Sequence, residues 1–282
     1  MAIETHSYKP LTNIQVVTLG LNLPGPLTSK RLVDLGATVI KIEPPEGDPL
    51  EQYAPKWYQE MNAGQQVLTI NLKSEQGQKT LAALMSKSAL FLTAQRPGAL
   101  ERLGLDWKSL HDRYPELNHI AIVGYPTPKE DHAGHDLTYQ AALGLIDPPH
   151  LPKTLIADMM GGEQAALQAI ELLMAYKDGQ SGMYRQVALS DAVEYMAQPL
   201  KYGLTANKGI LSGELPEYSI YETKTGWIAI AALEPHFRKR LLENLGMNEL
   251  FKDTLTEKIK ERTSSEWVSW AEEHDIPLEE LK

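Results

Sequence analysis

The chain has 282 residues, a formal net charge of -10 at pH 7, 43% hydrophobic residues and 23% charged residues. This length exceeds one typical domain and the composition is that of a globular protein, so we expect one large domain and one smaller one. The acidic balance argues against general binding to nucleic acid or to anionic membranes. No cysteine is present, which excludes disulfides, a thiol nucleophile and cysteine-based zinc sites.

The sequence carries no sign of export or of a membrane span. The first ten residues are polar, without the apolar stretch that an export signal needs. No run approaches the roughly 20 apolar residues that cross a bilayer. The absence of cysteine also fits a reducing compartment, so we expect a cytoplasmic protein with no membrane or nucleic-acid partner.

Short apolar runs rich in β-branched residues alternate with helix-period stretches over the first two thirds of the chain. The predicted strands are residues 14–19, 38–42, 67–70, 89–93 and 119–123. The predicted helices between them are residues 29–35, 76–85 and 107–114. This alternation predicts an α/β domain with a mostly parallel sheet covered by helices. The loops Pro24-Gly25-Pro26 and 44–49 are expected at strand ends, where such sheets carry ligands.

The pattern changes after residue 124 and again at about residue 201. Residues 125–158 are rich in Pro, Gly, His and Asp and interrupt the alternation. The later predicted elements are a long helix at about 163–176, a hairpin at 218–221 and 227–233, and amphipathic helices to the end. We therefore predict a large α/β domain at 1–204 and a small α+β domain at 205–282.

Four segments, in order along the chain, resemble the family III (CaiB/BaiF-type) CoA-transferases. They are Gly25-Pro26 with residues 32–48, then residues 96–105, then Gly134-His135-Asp136 with Tyr139 and Gly144, and finally Ala157-Asp158 before Gly161-Gly162. The resemblance spans residues 12 to 275. It implies an enzyme that binds acyl-CoA thioesters, a Rossmann-like large domain that binds CoA, and an interlocked homodimer.

Two departures from the family pattern concern the ligand and the dimer. Where the family usually has a basic stretch similar to Asn-Arg-Gly-Lys-Arg, this chain reads Asn62-Ala63-Gly64-Gln65-Gln66. We therefore expect weaker binding of the CoA phosphates than the family pattern implies. The sequence ends at Lys282, where the family's returning C-terminal segment normally begins, so we expect a dimer that dissociates more easily.

Asp158 lies at the position of the family's catalytic aspartate. In the transferases this carboxylate attacks the thioester, whereas in the racemases it is a base for the proton next to the thioester carbonyl. Its position before Gly161-Gly162 and a helix suits either reaction, because N–H groups at a helix start stabilise an oxyanion. Spacing alone would make Asp158 an ordinary helix N-cap.

His135 distinguishes the racemase subclass from the transferases. Gly-His-Asp followed by Tyr is the racemase pattern, whereas the transferases commonly carry an aromatic residue in place of the histidine. Histidine paired with a carboxylate suits inversion of a carbon centre, because one group removes a proton and the other delivers one. Glu234 matches the third racemase residue, a glutamate that pairs with the histidine. Taken singly, these two would be a surface loop histidine and a glutamate that opens a helix at Pro235.

The same resemblance assigns the contacts to coenzyme A. The basic candidates are Lys41, Arg96 and Arg102, with solvated surface charge as the simpler alternative. The candidates along the pantetheine arm and thioester are Gly134, Asp136 and Tyr139. Coenzyme A is expected only as part of the thioester substrate.

No metal ion and no tightly bound cofactor is expected. His132 and His135 are flanked by Asp131 and Asp136, but no third cluster of ligands accompanies them. Neither G-x-G-x-x-G nor G-x-x-x-x-G-K-[ST] occurs, so a nicotinamide or P-loop nucleotide site lacks its usual support.

The sequence therefore predicts an acyl-CoA α-carbon racemase or epimerase with His135 and Asp158 as bases and Glu234 supporting His135. One alternative is a family III CoA-transferase with Asp158 as nucleophile. Another is a non-catalytic CoA-binding homologue, which the substituted stretch at 62–66 favours.

Overall fold

In a computed structural model, residues 8–282 are described, and the chain divides into two compact units. The first unit ends at Met196, and the second runs from Ala197 to Lys282. The sequence placed the boundary between its two predicted domains after residue 204. Each unit is described by itself below.

The first unit is built on six parallel strands. They are β1 (Gln15–Thr18), β2 (Thr38–Glu43), β3 (Gln66–Thr69), β4 (Leu90–Thr93), β5 (Asn118–Val123) and β6 (Tyr184–Ala188). Their spatial order is β3-β2-β1-β4-β5-β6. This is the Rossmann order, in which the chain reverses its direction of progress between β1 and β4. The predicted Rossmann-like parallel sheet is confirmed, and β6 is a strand that the sequence did not predict.

Helices connect these strands, and one more helix follows β6. They are α1 (Pro24–Asp34), α2 (Pro49–Tyr53), α3 (Pro55–Asn62), α4 (Glu75–Met85), α5 (Pro97–Arg102), α6 (Trp107–Arg113), α7 (Asp136–Ala142), α8 (Ile156–Lys177) and α9 (Leu189–Met196). Pro24-Gly25-Pro26, predicted as a loop, opens α1 instead. Proline is tolerated there because the first N–H groups of a helix have no partner within the helix.

Both faces of the sheet are covered, because successive residues of a strand point to opposite sides. One face packs Val16, Val39 and Leu90 against Leu32 of α1 and Leu172 of α8. The other face packs the neighbouring residues Val17, Ile40 and Phe91 against Leu81 of α4 and Leu110 of α6. The apolar runs of β1, β2, β4 and β5 thus become a sheet buried between two layers of helices, whereas the edge strand β3 is exposed.

Helices α1 and α8 approach each other closely at Gly162. A Cβ atom added there would lie 2.7 Å from Leu27 Cδ2 and 3.0 Å from the carbonyl oxygen of Pro24. Thr28 Oγ1 lies 2.8 Å from the Pro24 oxygen and 2.9 Å from the Gly162 oxygen, within hydrogen-bond distance of both. The early part of α8 is therefore held against the first turn of α1.

The second unit is a small α+β structure. Its elements are α10 (Gln198–Lys201), β7 (Tyr218–Glu222), β8 (Trp227–Ala231), α11 (Pro235–Leu245), α12 (Lys252–Ile259), α13 (Ser264–His274) and β9 (Leu278–Glu280). The predicted hairpin is confirmed as β7 and β8, and β9 adds a third antiparallel strand. The sheet packs on the helices through Ile228, Leu241 and the fully buried Trp267. Among residues 8–282, no helix is both long and apolar enough to cross a membrane.

Candidate active site

A cavity of about 330 Å³ opens at the carboxyl ends of β1 and β4. Open α/β sheets bind their ligands at this point, where the strand order reverses and the loops diverge. The residues from these loops and helix starts that line the cavity include Asn22, Pro24, Gln95, Arg96, Gly124, Gly134, His135, Tyr139 and Asp158. The sheet topology thus brings together segments that are far apart in the sequence.

Asp158 lies in the first turn of α8 and lines this cavity. Burial raises the pKa of its carboxyl to about 6, with a further increase from the nearby Asp136 carboxylate and an opposing decrease from His135. Burial disfavours the charged form of a carboxyl, and a like charge disfavours it further. Asp158 is therefore ionised at neutral pH, yet binds a proton far more readily than an ordinary aspartate.

Asp136 orients the start of α8 from the neighbouring helix α7. Its Oδ2 accepts a hydrogen bond from the Asp158 backbone N–H at 3.0 Å, and its Oδ1 accepts one from Gln140 Nε2. Asp136 is itself only 4% exposed. Asp136 does not line the cavity itself. It acts on the cavity through its hydrogen bond to Asp158. Its predicted contact with the pantetheine arm stays a prediction.

The long helix starts earlier than the sequence predicted, at Ile156 instead of about residue 163. Gly161 and Gly162 consequently lie inside α8, where a Cβ at Gly161 would lie 2.2 Å from Leu189 Cδ2. The expectation that Asp158 precedes the helix, with free N–H groups after it, is wrong, because Asp158 lies within the first turn of α8. The N–H of Asp158 is bonded to Asp136, and the glycines allow close packing.

His135 is the N-cap of α7 and is exposed, with its side chain lining the same cavity as Asp158. Its backbone N–H donates to Thr138 Oγ1 at 3.0 Å, which fixes the start of α7. Its imidazole opposes the rise in the pKa of the Asp158 carboxyl. The structure thus brings together the two predicted bases.

Tyr139 and Gly134 form one wall of the cavity. The Tyr139 ring is buried and meets Tyr125 edge-on, with 5.1 Å between ring centroids. A Cβ at Gly134 would lie 2.5 Å from the Tyr139 ring, and one at Gly124 would lie 2.5 Å from its hydroxyl oxygen. Burial raises the pKa of Tyr139 to about 12, so its phenol stays protonated. Both glycines are required by the close approach of this ring.

A second cavity, of about 620 Å³, lies along the carboxyl ends of β1, β2, β3 and β4. Arg102 lines it together with Lys73, Pro44 and Pro45. Leu21 and Gln95 line both cavities, so the two are neighbours. Arg96 lines the first cavity and Arg102 the second, which puts two of the predicted CoA contacts at the same edge of the sheet. Lys73 was missed, although its position just after the predicted strand 67–70 marks it as a ligand-edge residue.

Lys41 differs from the other predicted CoA contacts because its side chain is fully buried. Its ammonium group lies 2.6 Å from Asp48 Oδ2 and 2.8 Å from Glu43 Oε1. The alternative of a solvated surface charge is wrong, since the side chain is 0% exposed. A phosphate would have to compete with two carboxylates for this ammonium group, so its assignment to CoA stays an untested prediction.

The substituted stretch at 62–66 lies between α3 and the amino end of β3. This is the opposite edge of the sheet from both cavities, and neither is lined by residues of the stretch. Gln65 Nε2 donates to the carbonyl of Met61 at 2.8 Å. Within the first unit, these residues contact neither candidate ligand cavity.

Glu234 belongs to the second unit, where it is the exposed N-cap residue of α11. Its carbonyl accepts a hydrogen bond from the Arg238 N–H at 2.9 Å. Its pairing with His135 remains a prediction. Within residues 8–282, no group of three or more His, Cys, Asp or Glu side chains is arranged to hold a metal ion.

Comparison with known proteins places these features in a family. The model of the CoA-transferase family III matches residues 11–282. The succinyl-CoA–D-citramalate CoA-transferase of Chloroflexus aurantiacus is 29% identical, covering 87% of this chain and 67% of its own. The human alpha-methylacyl-CoA racemase is 28% identical, covering 91% of this chain and 74% of its own. A solved structure of the hypothetical protein Rv3272 from Mycobacterium tuberculosis superposes with a TM-score of 0.83 at 26% identity, covering 96% of this chain and 84% of that one.

These matches extend over nearly the whole chain and include both of the reaction classes that the sequence left open. The resemblance found in the sequence is confirmed. This chain belongs to the CoA-transferase family III.

Proposed function

We propose that this protein is an acyl-CoA α-carbon racemase or epimerase that acts on a 2-methylacyl-CoA-like thioester by two-base proton transfer. It is an enzyme that acts on CoA thioesters, as its family and relatives indicate. The observation that supports racemisation is that His135 and Asp158 line one cavity at the carboxyl edge of the sheet. Two proton carriers beside one substrate carbon are what inversion requires.

The proposed reaction moves one proton off the α-carbon and another onto it. In one direction the Asp158 carboxylate takes the α-proton, and the electron pair of the C–H bond becomes the enolate of the thioester. Protonated His135 then delivers a proton to the opposite face of that carbon. In the other direction the two groups exchange roles, and both equilibrate their protons with water between turnovers.

The pKa of about 6 at Asp158 suits this role. A base that is ionised at neutral pH yet holds a proton readily can take the α-proton and return one. Histidine side chains can hold or release a proton near neutral pH, so a histidine suits proton transfer at the opposite face of the α-carbon. Glu234 is proposed to pair with His135 from the partner subunit of a homodimer, an arrangement that rests on the family resemblance.

A CoA-transferase reaction is the second candidate, because relatives of the chain include CoA-transferases at the same level of identity as the racemase. In that reaction the Asp158 carboxylate would attack the thioester carbonyl, expel the CoA thiolate and form a mixed anhydride with the acyl group. The thiolate would then attack the aspartyl carbonyl of the anhydride, release the acyl group as a free carboxylate and leave an aspartyl-CoA thioester. Such an intermediate reacts with hydroxylamine and borohydride, whereas proton transfer leaves no covalent adduct.

The test is to incubate the protein with a 2-methylacyl-CoA in deuterated water, without any free acid. We expect the α-hydrogen to be replaced by deuterium and no adduct to be trapped at Asp158. Acyl transfer to added acids that depends on Asp158 but not on His135 would favour the transferase. Binding of CoA with neither reaction would favour a non-catalytic homologue.

A further inference from the structure

Asn22 lies in the loop between β1 and α1 and lines the first cavity together with His135 and Asp158. Its backbone is left-handed, with φ at 61°. Asparagine is one of the few residues with a side chain that visits this region at modest cost. The loop therefore holds a polar side chain at the mouth of the cavity in a backbone conformation that few other residues adopt.

The backbone of Asn22 is held by a buried carboxylate. Asp48 Oδ1 accepts hydrogen bonds from the N–H groups of Asn22 and Leu50, each at 3.0 Å. Asp48 is 1% exposed, and its other oxygen is paired with the buried Lys41 ammonium at 2.6 Å. A buried charged acceptor with its own counter-ion makes a strong hydrogen bond. Lys41 and Asp48 thus fix the position of Asn22.

The side chain of Asn22 is oriented by Tyr53. The Tyr53 hydroxyl donates to Asn22 Oδ1 at 2.6 Å. Because the two ends of an amide group point in different directions, this bond leaves Nδ2 as the free end. Within residues 8–282, Asn22 Nδ2 donates to no protein acceptor. Tyr53 lines the first cavity together with Asp158. Burial raises the pKa of its phenol, and the Asp48 and Asp158 carboxylates raise it further.

Two other neutral donors at the cavity, the Gln95 amide and the Asp158 backbone N–H, are already engaged. Gln95 Nε2 donates to the Leu19 carbonyl at 2.5 Å, and its Oε1 accepts from the Ala94 N–H at 3.2 Å. The Asp158 N–H is bonded to Asp136. Removing an α-proton from a thioester puts negative charge on the carbonyl oxygen, and a fixed donor at that oxygen lowers the barrier.

From this geometry we propose that Asn22 Nδ2 donates a hydrogen bond to the thioester carbonyl oxygen and stabilises the enolate, with Tyr53 and Asp48 as its positioning residues. The inference rests on the proposed function only in taking an acyl-CoA thioester as the substrate. No bond to Asn22 forms or breaks, because the proton moves between the α-carbon and the bases while Asn22 keeps its hydrogens.

The test compares Asn22→Asp and Asn22→Gly with the unmodified protein. Aspartate keeps the shape and the acceptor for Tyr53 but loses the donor, whereas glycine loses the donor without adding charge or strain. The matched control is Asn13, a second left-handed asparagine (φ 67°) that lines neither cavity. Asn13→Asp and Asn13→Gly should leave every measurement unchanged. We expect α-proton exchange to fall about 10²–10³-fold in kcat at Asn22, the usual effect of losing one oxyanion donor.

A binding measurement tests independently of turnover whether Asn22 stabilises an enolate-like oxygen. The probes are free CoA, an alkyl-CoA thioether and a CoA thioether that carries a preformed 2-nitroalkyl nitronate, which resembles the enolate. Asn22→Gly should weaken nitronate binding at least about tenfold and change CoA and alkyl-CoA binding less than about twofold. Unchanged nitronate affinity, or an equal loss for all three probes, would overturn the proposal. A further outcome is that the unmodified protein shows no α-proton exchange and still binds the nitronate better than the other probes in a way that depends on Asn22. That result would contradict the racemase function but support the role of Asn22.

Discussion

Asp136 Oδ2 accepts a hydrogen bond from the backbone N–H of Asp158 at 3.0 Å, so the residue after one proposed base anchors the other. Asp136 follows His135 directly at the start of α7. One carboxylate therefore joins the helix that carries His135 to the helix that carries Asp158. Its charge also acts on Asp158, whose pKa it helps to raise.

Removing the Asp136 charge should move the acid limb of the pH–rate profile to lower pH. The Asp136 carboxylate raises the pKa of Asp158, so Asp136→Asn and Asp136→Ala should both lower it and keep the base ionised in more acidic solution. The measurement is the rate of α-proton exchange between pH 4 and 8. A limb that stays near 6, or moves upward in both variants, would contradict the electrostatic role of Asp136.

Asp158→Asn should stabilise the protein at neutral pH while it strongly lowers activity. The pKa of Asp158 is raised from 3.8 to about 6, so above pH 6 the folded state holds a charge that its surroundings disfavour. Each unit of such a shift corresponds to about 1.4 kcal/mol, which sets the expected gain at roughly 1–3 kcal/mol. The readout is the urea unfolding midpoint.

The pH dependence of that gain supplies its control. Below the unfolded pKa of 3.8 the carboxyl is neutral in both states, so the variant and the unmodified protein should be equally stable. The difference should grow as the pH rises from about 4 to 6 and then level off. A gain that is independent of pH would mean that asparagine packs better, and that the charge is not the cause.

The affinity of the protein for coenzyme A should depend on the basic residues at the carboxyl edge of the sheet. Arg102 and Lys73 line the second cavity, whereas Gln65 and Gln66 lie at the opposite edge. Arg102→Ala and Lys73→Ala should each weaken CoA binding several-fold at low salt, with smaller losses at high salt because exposed charges are screened. Titration calorimetry with CoA, at low and at high salt, measures the affinity of each variant.

The matched comparison is the pair of changes Gln65→Lys and Gln66→Arg, which restore two of the three basic residues of the family's stretch. The sequence alone predicted that they would tighten CoA binding. Their position, remote from both cavities within the first unit, predicts little effect. Strong tightening would show that this stretch does reach the nucleotide, and that the cavity at the carboxyl edge is not the whole binding site.

Mixing two inactive variants tests the proposed contribution of Glu234 from a partner subunit. Asp158→Ala and Glu234→Ala protein should each be nearly inactive alone, yet recover partial activity after mixing, because a mixed dimer keeps one site with both residues intact. Light scattering establishes the assembly state. No recovery despite proven mixed dimers would show that each site uses one chain only.

The sequence predicted the framework of the sheet, because its strands depend on local patterns. The roles of His135 and Asp158 came from the family resemblance and stay proposals. Strands β1 to β5 are apolar runs with turn residues at their ends, and the hairpin β7–β8 is marked by its Gly226 turn. Strand β6 was missed because it reads Tyr-Arg-Gln-Val-Ala, with polar residues that suit an edge strand. The start of α8 was missed because Gly161 and Gly162 look like a break, although they are packing contacts with Leu189 and α1.

The parts of the site that escaped prediction depend on contacts between distant segments. Lys41 reads as a basic strand-end residue. Glu43 and Asp48 stand close to it in the sequence, but only the folded turn after β2 brings both carboxylates onto its ammonium group. At position 22, the sequence alone indicates only an asparagine in a loop. Its fixation by Asp48 and Tyr53 exists only after β2 and α2 have packed beside the β1–α1 loop.

The most direct test follows single enantiomers of a 2-methylacyl-CoA in deuterated water with the unmodified protein, His135→Ala and Asp158→Ala. The unmodified protein should convert each enantiomer into the racemate while incorporating deuterium at the α-carbon. Each variant should racemise about 10²–10⁴-fold more slowly, the usual cost of losing a general acid or base. The residual exchange should favour opposite enantiomers in the two variants, because each keeps the base on one face. Racemisation that survives both substitutions, or exchange that never occurs without an acyl acceptor, would contradict two-base proton transfer by His135 and Asp158.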